Sequence, residues 1–533
     1  PFEKKTIRIS YVVKIPSSKF TNYGYDNEGN LILRNWFITP SRYENGAFVT
    51  YSNVNVDDIA NANSNYKLTL VLPSGLYPTC DLNMMQADAS SYLFEGQNRN
   101  DITLYLEKKN SFNTFVNNEF SFLSNINNTK IDEVKKAMII NKVISYVAKN
   151  MGAFPHQKII VSQVDYDRNP FYGLNQLPSF LSPFSDDFLF ELKILKTYLN
   201  NFLKNSMQLD PRKDNWIYDA IQMYTMIQYI NENYPNEKMM GTIASFKLLK
   251  GYHLVSMDFN EQYYYFYMMM ARKNLDQPLG FSKDKLLKFN EKIASKSRAG
   301  LSLEYLDNYL KEGVVHKSIS DFYRLNQTQQ TSRTDFKSII QANSNQSVDW
   351  FFDNIIDSRL SIDYRFGKVT KSDEFVQFSL MNKTKNAVPI PVFGIKKDQI
   401  VSKIWIDPTD TDRIYKIDRN GADRLVINYL HEVPEINQRN NWKSLNRFHL
   451  LNKPIKFNFM KDIEDPHYNQ IMYVPTLEYN YYDGMIPGLR LHNKTLMDKP
   501  FMFNINPTFS IFFSHSFSFK FLECGTKLTY ITR

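Results

Sequence analysis

The residue types that usually carry chemistry are sparse and scattered in this chain. Its eight histidines, His156, His253, His316, His431, His449, His467, His492 and His515, fall singly along the sequence. A lone histidine is ordinarily a surface residue or a satisfied core residue. The stretch His431-Glu432-Val433-Pro434-Glu435 has the residue types of an H-E-x-x-E metal site. Pro434 breaks the helix that would set those groups on one face, so the stretch reads as a loop. Cys80 and Cys524 are the two cysteines, which excludes a disulfide scaffold and a cysteine-based zinc site. No G-x-S-x-G elbow, phosphate-binding loop or Cys–His nucleophile motif occurs. What remains is a carboxylate on a helical run, Glu191, within FLFELKILKTYLNNF at residues 188–202.

In zinc peptidases, H-E-x-x-H places two imidazoles at i and i+4 on one helical face. The Glu between them is the general base, and a third ligand comes from the next helix. The corresponding frame here is Phe190-Glu191-Leu192-Lys193-Ile194, in which only the Glu is present. Phe190 and Ile194 have no lone pair to offer a metal, and Lys193 and Lys196 would add positive charge beside a cation. Phe188, Leu192, Leu195, Leu199 and Phe202 form one apolar stripe. Phe190 and Ile194 lie roughly 200° around from its start, so the helix is apolar on a second side. A helix lining an internal cleft has this pattern, and so does a plain buried helix.

Four segments, in order, extend the comparison. In WIYDAIQMY (216–224), Trp216 and Tyr224 frame apolar Ile217 and Ile221, with the small Ala220 between them. FYGLNQLPSF supplies Gly173, followed by Asn175 and Gln176. YGYDNEGNLILRNWFITPSRYENGAF (23–48) and VISYVAKNMGAFPHQKIIVSQVDY (143–166) precede both. Together these resemble the aminopeptidase N family of gluzincin metallopeptidases, over about residues 1 to 310. The resemblance implies zinc-ligand positions at Phe190, Ile194 and Asp219, the last one methylene short of the family's Glu. It implies that Glu191 is a vestigial general base. Gly173, Asn175 and Gln176 would be a degenerate loop for recognising an amino terminus, with no carboxylate left to pair an α-ammonium. The transition-state tyrosine would lie near QYYYFYMMM, with Tyr263, Tyr264 and Tyr265 as candidates, each equally explained by aromatic packing. The interval from Ile194 to Asp219 exceeds the family's by several residues.

The elements that would position these groups follow from periodicity. Residues 1–110 are strand-rich: TIRISYVVKI, AFVTYS, YKLTLVLP and DITLYLEKK are separated by turns such as DNEGN and ENG. From about 129 to 310 the pattern is helical, with stops at Gly152 and Pro235 and one strand-like insertion, KIIVSQVDY. Residues 313–350 are polar and rich in Gln, Asn, Ser and Thr, which suggests exposed connectors or a short helix. After 350, LSIDYRFGKVT, DEFVQFSLMNK, AVPIPVFGI, RLVINYL and IKFNFM are spaced like a β-sandwich. The expected fold is α+β and multidomain: a β domain at 1–110, incomplete at its start, a helical thermolysin-like peptidase domain at 111–345, a β-sandwich at 346–462, and a strand-rich segment at 463–533. Residues 470–513 are aromatic and partly alternating, and look like the opening strands of a surface-antigen type outer-membrane barrel. Two or three strands cannot close a barrel. Either the chain continues beyond Arg533 or these strands belong to a soluble sandwich.

Composition narrows the function classes. Apolar residues make up 43% and aromatics 15%, ample for several cores. The mean hydropathy is negative and no long uncharged apolar run occurs, so no transmembrane helix is expected. The net charge of +9 is spread without a basic block, so no nucleic-acid partner is expected. The chain opens at Pro1 without an initiator Met and reads as a fragment or processed form. The resulting expectation is a catalytically inactive metallopeptidase-like protein of the bacterial cell envelope, periplasmic or outer-membrane associated. It would bind a peptide or protein partner or act as a scaffold, and no cofactor is expected. The alternatives are an active zinc aminopeptidase with ligands elsewhere, and a surface protein linked to an outer-membrane barrel.

Overall fold

The chain folds as a mixed α/β structure. The computed structural model describes residues 5–44, 46–50, 55–88, 90–117, 120–178, 181–408, 413–446, 451–482, 484–497, 499–509 and 517–520. The N-terminal part holds two small antiparallel sheets. In one, Gly24–Tyr25, Leu31–Arg34, Thr103–Glu107 and Tyr77–Cys80 lie side by side; in the other, Ser91–Arg99 lies between Ser64–Val71 and Asn83–Ala87. Leu33, Leu82, Phe94 and Leu104 close the core between them. The expected first strand, TIRISYVVKI, has no ladder partner, and Ile7 and Val12 stand exposed. β-branched residues favour a sheet only where a neighbouring strand receives them.

A third sheet leads into the helices. Asn113–Val116 pairs antiparallel with Ser121–Ser124, which pairs parallel with Lys158–Val161. The parallel step is bridged by helix α1 (Glu133–Asn150), whose N-cap Asp132 accepts from Lys135 N at 2.8 Å. The strand-like KIIVSQVDY divides. Its first half is the strand, whereas Ser162 and Asp165 form a capping box that opens helix α2 (Gln163–Arg168). There follow α3 (Asp186–Ser206), α4 (Asn215–Asn233), α5 (His253–Ser256), α6 (Gln262–Ala271), α7 (Ser295–Leu310), α8 (Val314–Leu325) and α9 (Arg333–Asn343). Of the two readings of 313–350, exposed connectors or a short helix, the helical one holds, with two helices in place of one. Val315, Phe322, Phe336, Ile340 and Val348 lie at 0% exposure in the central core. The apolar stripe of each helix is narrow, and the polar residues around it dominate the composition of the stretch.

Beyond Tyr364 the chain forms two facing sheets. One orders Tyr364–Lys371, Phe375–Asn382 and Ile414–Asp418; the other orders Gln399–Ile406, Ile390–Lys396, Arg424–Ile427 and Trp442–Ser444. Their inner residues, among them Val376, Phe378, Val392 and Leu425, join the same hydrophobic cluster as α3, α4 and α7. Tyr305 of α7 donates its hydroxyl to Pro389 O and packs beside Trp350 and Trp405. The helical layer and the sandwich thus share one core. The last described residues form an open five-stranded sheet. Ile455–Phe459 runs parallel to Asn469–Asn480, and Gly484–His492, Asn504–Phe509 and Phe517–Lys520 follow antiparallel. Of the tail SHSFSFKFLECGTKLTYITR, only Phe517–Lys520 falls within the described residues.

One packing constraint places α7. A Cβ added at Gly300 would stand 2.5 Å from Met223 Cβ and 3.2 Å from Met223 C on α4, so α7 lies almost on the α4 backbone. Gly300→Ala is expected to destabilise the protein by about 1–3 kcal/mol through overpacking. Gly251→Ala, where an added Cβ meets nothing within 4 Å, is expected to leave the unfolding midpoint unchanged. Thermal or urea unfolding of the two variants checks the contrast.

Candidate functional site

Helix α3 is capped by Ser185, whose hydroxyl accepts from Phe188 N, and Asp186 and Asp187 occupy its first turn. Phe190 and Ile194, two of the expected ligand positions, are 2% and 0% exposed within the hydrophobic core. Glu191 faces α1 and the far end of α4. Lys142 Nζ donates to its Oε1 at 2.7 Å, and the Tyr229 hydroxyl donates to the same oxygen. Burial, and after it this carboxylate, raises the Tyr229 phenol above its ordinary value and keeps it a donor. Glu191 is thereby fixed as a buried structural acceptor.

Asp219 sits elsewhere. Asn215 Nδ2 donates to its Oδ2 at 2.7 Å, and Lys296 Nζ of α7 lies 3.3 Å from its Oδ1. The same ammonium donates to Asn169 Oδ1 at 2.7 Å. Asp219 lines a cavity of about 40 Å³ shared with Asn200 and Lys204 of α3, and Lys196 of α3 interacts with it electrostatically. Phe190, Ile194 and Asp219 therefore do not assemble. The α3 positions that face Asp219 at i and i+4 spacing are Lys196 and Asn200, six residues further along. The i, i+4 spacing of Lys196, Asn200 and Lys204 is the signal that could have located this face.

The amino-terminus loop and the tyrosines are also placed. Gly173 has φ +139°, and a Cβ there would approach Gln262 Oε1 to 2.9 Å, so its lack of a side chain is structural. Asn175 Nδ2 donates to Phe171 O at 2.9 Å and holds the turn, while Gln176 is exposed. Tyr263 packs against Phe171 in the core. Tyr264 and Tyr265 donate to the carbonyls of Glu435 and Glu464 at 2.9 and 3.1 Å. None of the three lines the Asp219 cavity. His431 and Glu432 lie in a turn, as Pro434 required, with His431 at φ +58°. Glu435 is fully buried, accepting from Tyr364 N and Asn441 Nδ2, and burial pushes its carboxyl up to about 8.

The electrostatics of the cleft are those of a filled cation site. Arg34, Arg168, Lys204, Lys283, Lys292 and Lys296 line the cavity against Asp57, Asp165, Asp219 and Glu291. The π-type turn Asn290–Ala294, which carries Glu291 and Lys292, feeds directly into α7. Burial lowers Lys196 to about 7, helped by the Lys296 charge, and burial lowers Lys204 to about 7 as well. A near-neutral lysine can serve Schiff-base chemistry. The cavity between these side chains is small, about 40 Å³. Among the described residues, no group of three or more His, Cys, Asp or Glu side chains is arranged to hold a metal ion.

No protein family matches the chain, and no curated protein does. Among solved structures it is similar to the crystal structure of Legionella pneumophila aminopeptidase A in complex with aspartic acid. The identity is 8% and the TM-score 0.47, over 69% of this chain and 42% of that one. The chain therefore spans less than half the length of that protein.

Lys196, only 3% exposed, provides a test of this cleft. Its pKa is depressed in the folded state, so below about 7 it is charged in both states and its burial costs stability in full. The cost fades as pH rises toward the ordinary lysine value. Lys196→Met is expected to stabilise by on the order of 1–3 kcal/mol at neutral pH and below. The gain should shrink in alkaline solution, as thermal unfolding across a pH series will show.

Proposed function

We propose that the chain is a divergent, metal-free relative of the aminopeptidase N type, with a thermolysin-like helical region kept as a binding or scaffold module for a peptide or protein. The observation that carries the reading is the Lys296 ammonium 3.3 Å from Asp219, facing Lys196 and Asn200. Where the family's metal would need two imidazoles and a carboxylate, this chain supplies a lysine, an asparagine and a carboxylate already neutralised by its own cation. A metal would add its charge to a cavity whose basic side chains outnumber its acids. Without a metal no bound water is acidified, and Thr197, which stands where the general base would be in this register, is no base.

A place at the bacterial envelope belongs to the same proposal. Its support is the aromatic hairpin Asn469–His492, where Leu477, Tyr479, Tyr481 and Tyr482 are all more than half exposed. No described helix is long and apolar enough to cross a membrane.

The direct experiment is metal analysis of chelator-free protein by mass spectrometry, with release assays on aminoacyl amides in added zinc. Zinc far below one per chain and no turnover above buffer are expected. Near-stoichiometric zinc with turnover abolished by Asp219→Ala would establish a live metallopeptidase instead. The register has its own test. Lys196→His, Asn200→His, Asp219→Glu and Lys296→Ala combined should raise zinc affinity by at least about tenfold. Phe190→His with Ile194→His should lower stability by about 2–5 kcal/mol without any gain in zinc binding.

A further inference from the structure

A second cavity, of about 400 Å³, lies where α6 and α7 meet the turn after Arg424–Ile427 and the segment before Asn469–Asn480. That volume suits a small ligand or an inserted side chain. Its wall is rich in carboxylates, several of them already engaged. Glu464 is clamped by Arg272 at 2.5 Å and Arg439 at 3.1 Å, and Asp258 pairs with Lys238 at 2.5 Å. Others are left open. Glu304 of α7 makes no hydrogen bond or ion pair among the described residues, and Glu432 bonds Lys403 through Oε1 while its buried Oε2 has no partner. Beside them the Gln438 side chain, 8% exposed, interacts with the His431 ring, yet neither its Nε2 nor His431 Nδ1 has a hydrogen bond of good geometry in the same wall. Tyr264 and Tyr265 spend their hydroxyls on backbone carbonyls and present rings to the cavity lining. His431, in a left-handed conformation rarely adopted by non-glycine residues, completes the turn.

A buried acceptor without a donor, such as Glu432 Oε2, is costly unless something arrives to satisfy it, and the half-buried Glu304 carboxylate stands open beside it. Two open carboxylates call for N–H groups on a positive charge, aromatic walls favour the same cation, and an orphan amide donor calls for an oxygen beside it. We propose that this cavity binds an ammonium or guanidinium group on a peptide side chain, received by Glu304 and Glu432, with Gln438 donating to a nearby carbonyl of the same peptide. The site is separate from the Asp219 cleft and stands whether or not that cleft ever held zinc.

The proposal carries a pH dependence. Burial, then Asp307 and Glu432, pushes the Glu304 carboxyl up to about 7, so it must ionise before it can pair a cation. The other charged groups facing the cavity are Asp258, Glu261 and Arg272 from the α6 side and Glu464 from the following segment. His431, lowered to about 3 by burial, and His253, also lowered, stay neutral near pH 7.

The test is calorimetric titration of the intact chain with the N-acetyl, N′-methylamide derivatives of lysine, arginine and norleucine, and with putrescine. Lysine or arginine derivative should bind at least about tenfold tighter than norleucine, and tighter at about pH 8 than at about pH 6. Glu304→Gln, which removes no protein contact, should erase about tenfold of that preference, and Glu432→Gln should act likewise. Gln438→Ala should weaken the amide-bearing derivatives and leave putrescine unchanged. Equal binding of norleucine, no binding of either cationic derivative, or indifference to both Glu→Gln changes in folded variants would overturn the assignment. Putrescine binding as tightly as the derivatives would overturn the peptide source.

Discussion

The close approach of α7 to α4 at Gly300 governs the interior of this protein. With no side chain at that position, the two helices pack nearly backbone to backbone, and Lys296, one turn earlier on α7, reaches the Asp219 carboxylate of α4. Everything about the cleft follows from that contact. The carboxylate is neutralised from within, the ammonium is fixed between Asp219 and Asn169, and the residual volume falls to about 40 Å³. Lys204 then lines a cavity that already holds the Lys296 ammonium, whose charge also reaches Lys196. Lys196 and Lys204 are both lowered to about 7, because burial penalises their charge and neighbouring lysines add to it. Here the charge is distributed over side chains that hold helices together.

The same helix serves two cavities of opposite character. Lys296 and Glu304 are eight residues apart, about 12 Å along an α-helix. The N-terminal end of α7 delivers a cation to the lysine-rich cleft. The later turn delivers an open carboxylate to the acidic cavity against the sandwich. The shared hydrophobic core, running from α3 through Tyr305 to Leu425, makes this arrangement rigid. The helical layer and the sandwich cannot shift relative to each other without breaking it. A cavity at such a junction is preorganised, so a ligand entering it need not first order its walls.

Much of the architecture was legible in the chain, and the misses have physical causes. The apolar stripe from Phe188 to Phe202 and the strands after 350 followed local rules that packing did not override. TIRISYVVKI was misleading, because strand propensity is realised only beside a partner strand. The polar stretch 313–350 concealed α8 and α9, since a helix needs only a narrow buried stripe, and Val315, Ile319 and Phe322 supply it among serines and lysines. Composition averages over all faces of a helix, whereas burial selects one.

Phe190 and Ile194 lie in the core and not beside Asp219, and the reason they were singled out lies in α3 itself. That helix is buried on most of its circumference, so hydrophobic periodicity cannot single out the side that lines a cleft. Glu191 drew attention because a carboxylate inside a core is conspicuous, yet Lys142 and Tyr229 account for it fully. The informative residues were the less conspicuous ones, Lys196, Asn200 and Lys204, polar at helical spacing where burial should have excluded them. A buried amine persists only if something makes its position worth the desolvation, either a partner charge or a function. For Lys296 the partner is Asp219. For Lys196 and Lys204 the described residues offer too few carboxylates to offset the burial that lowers them both.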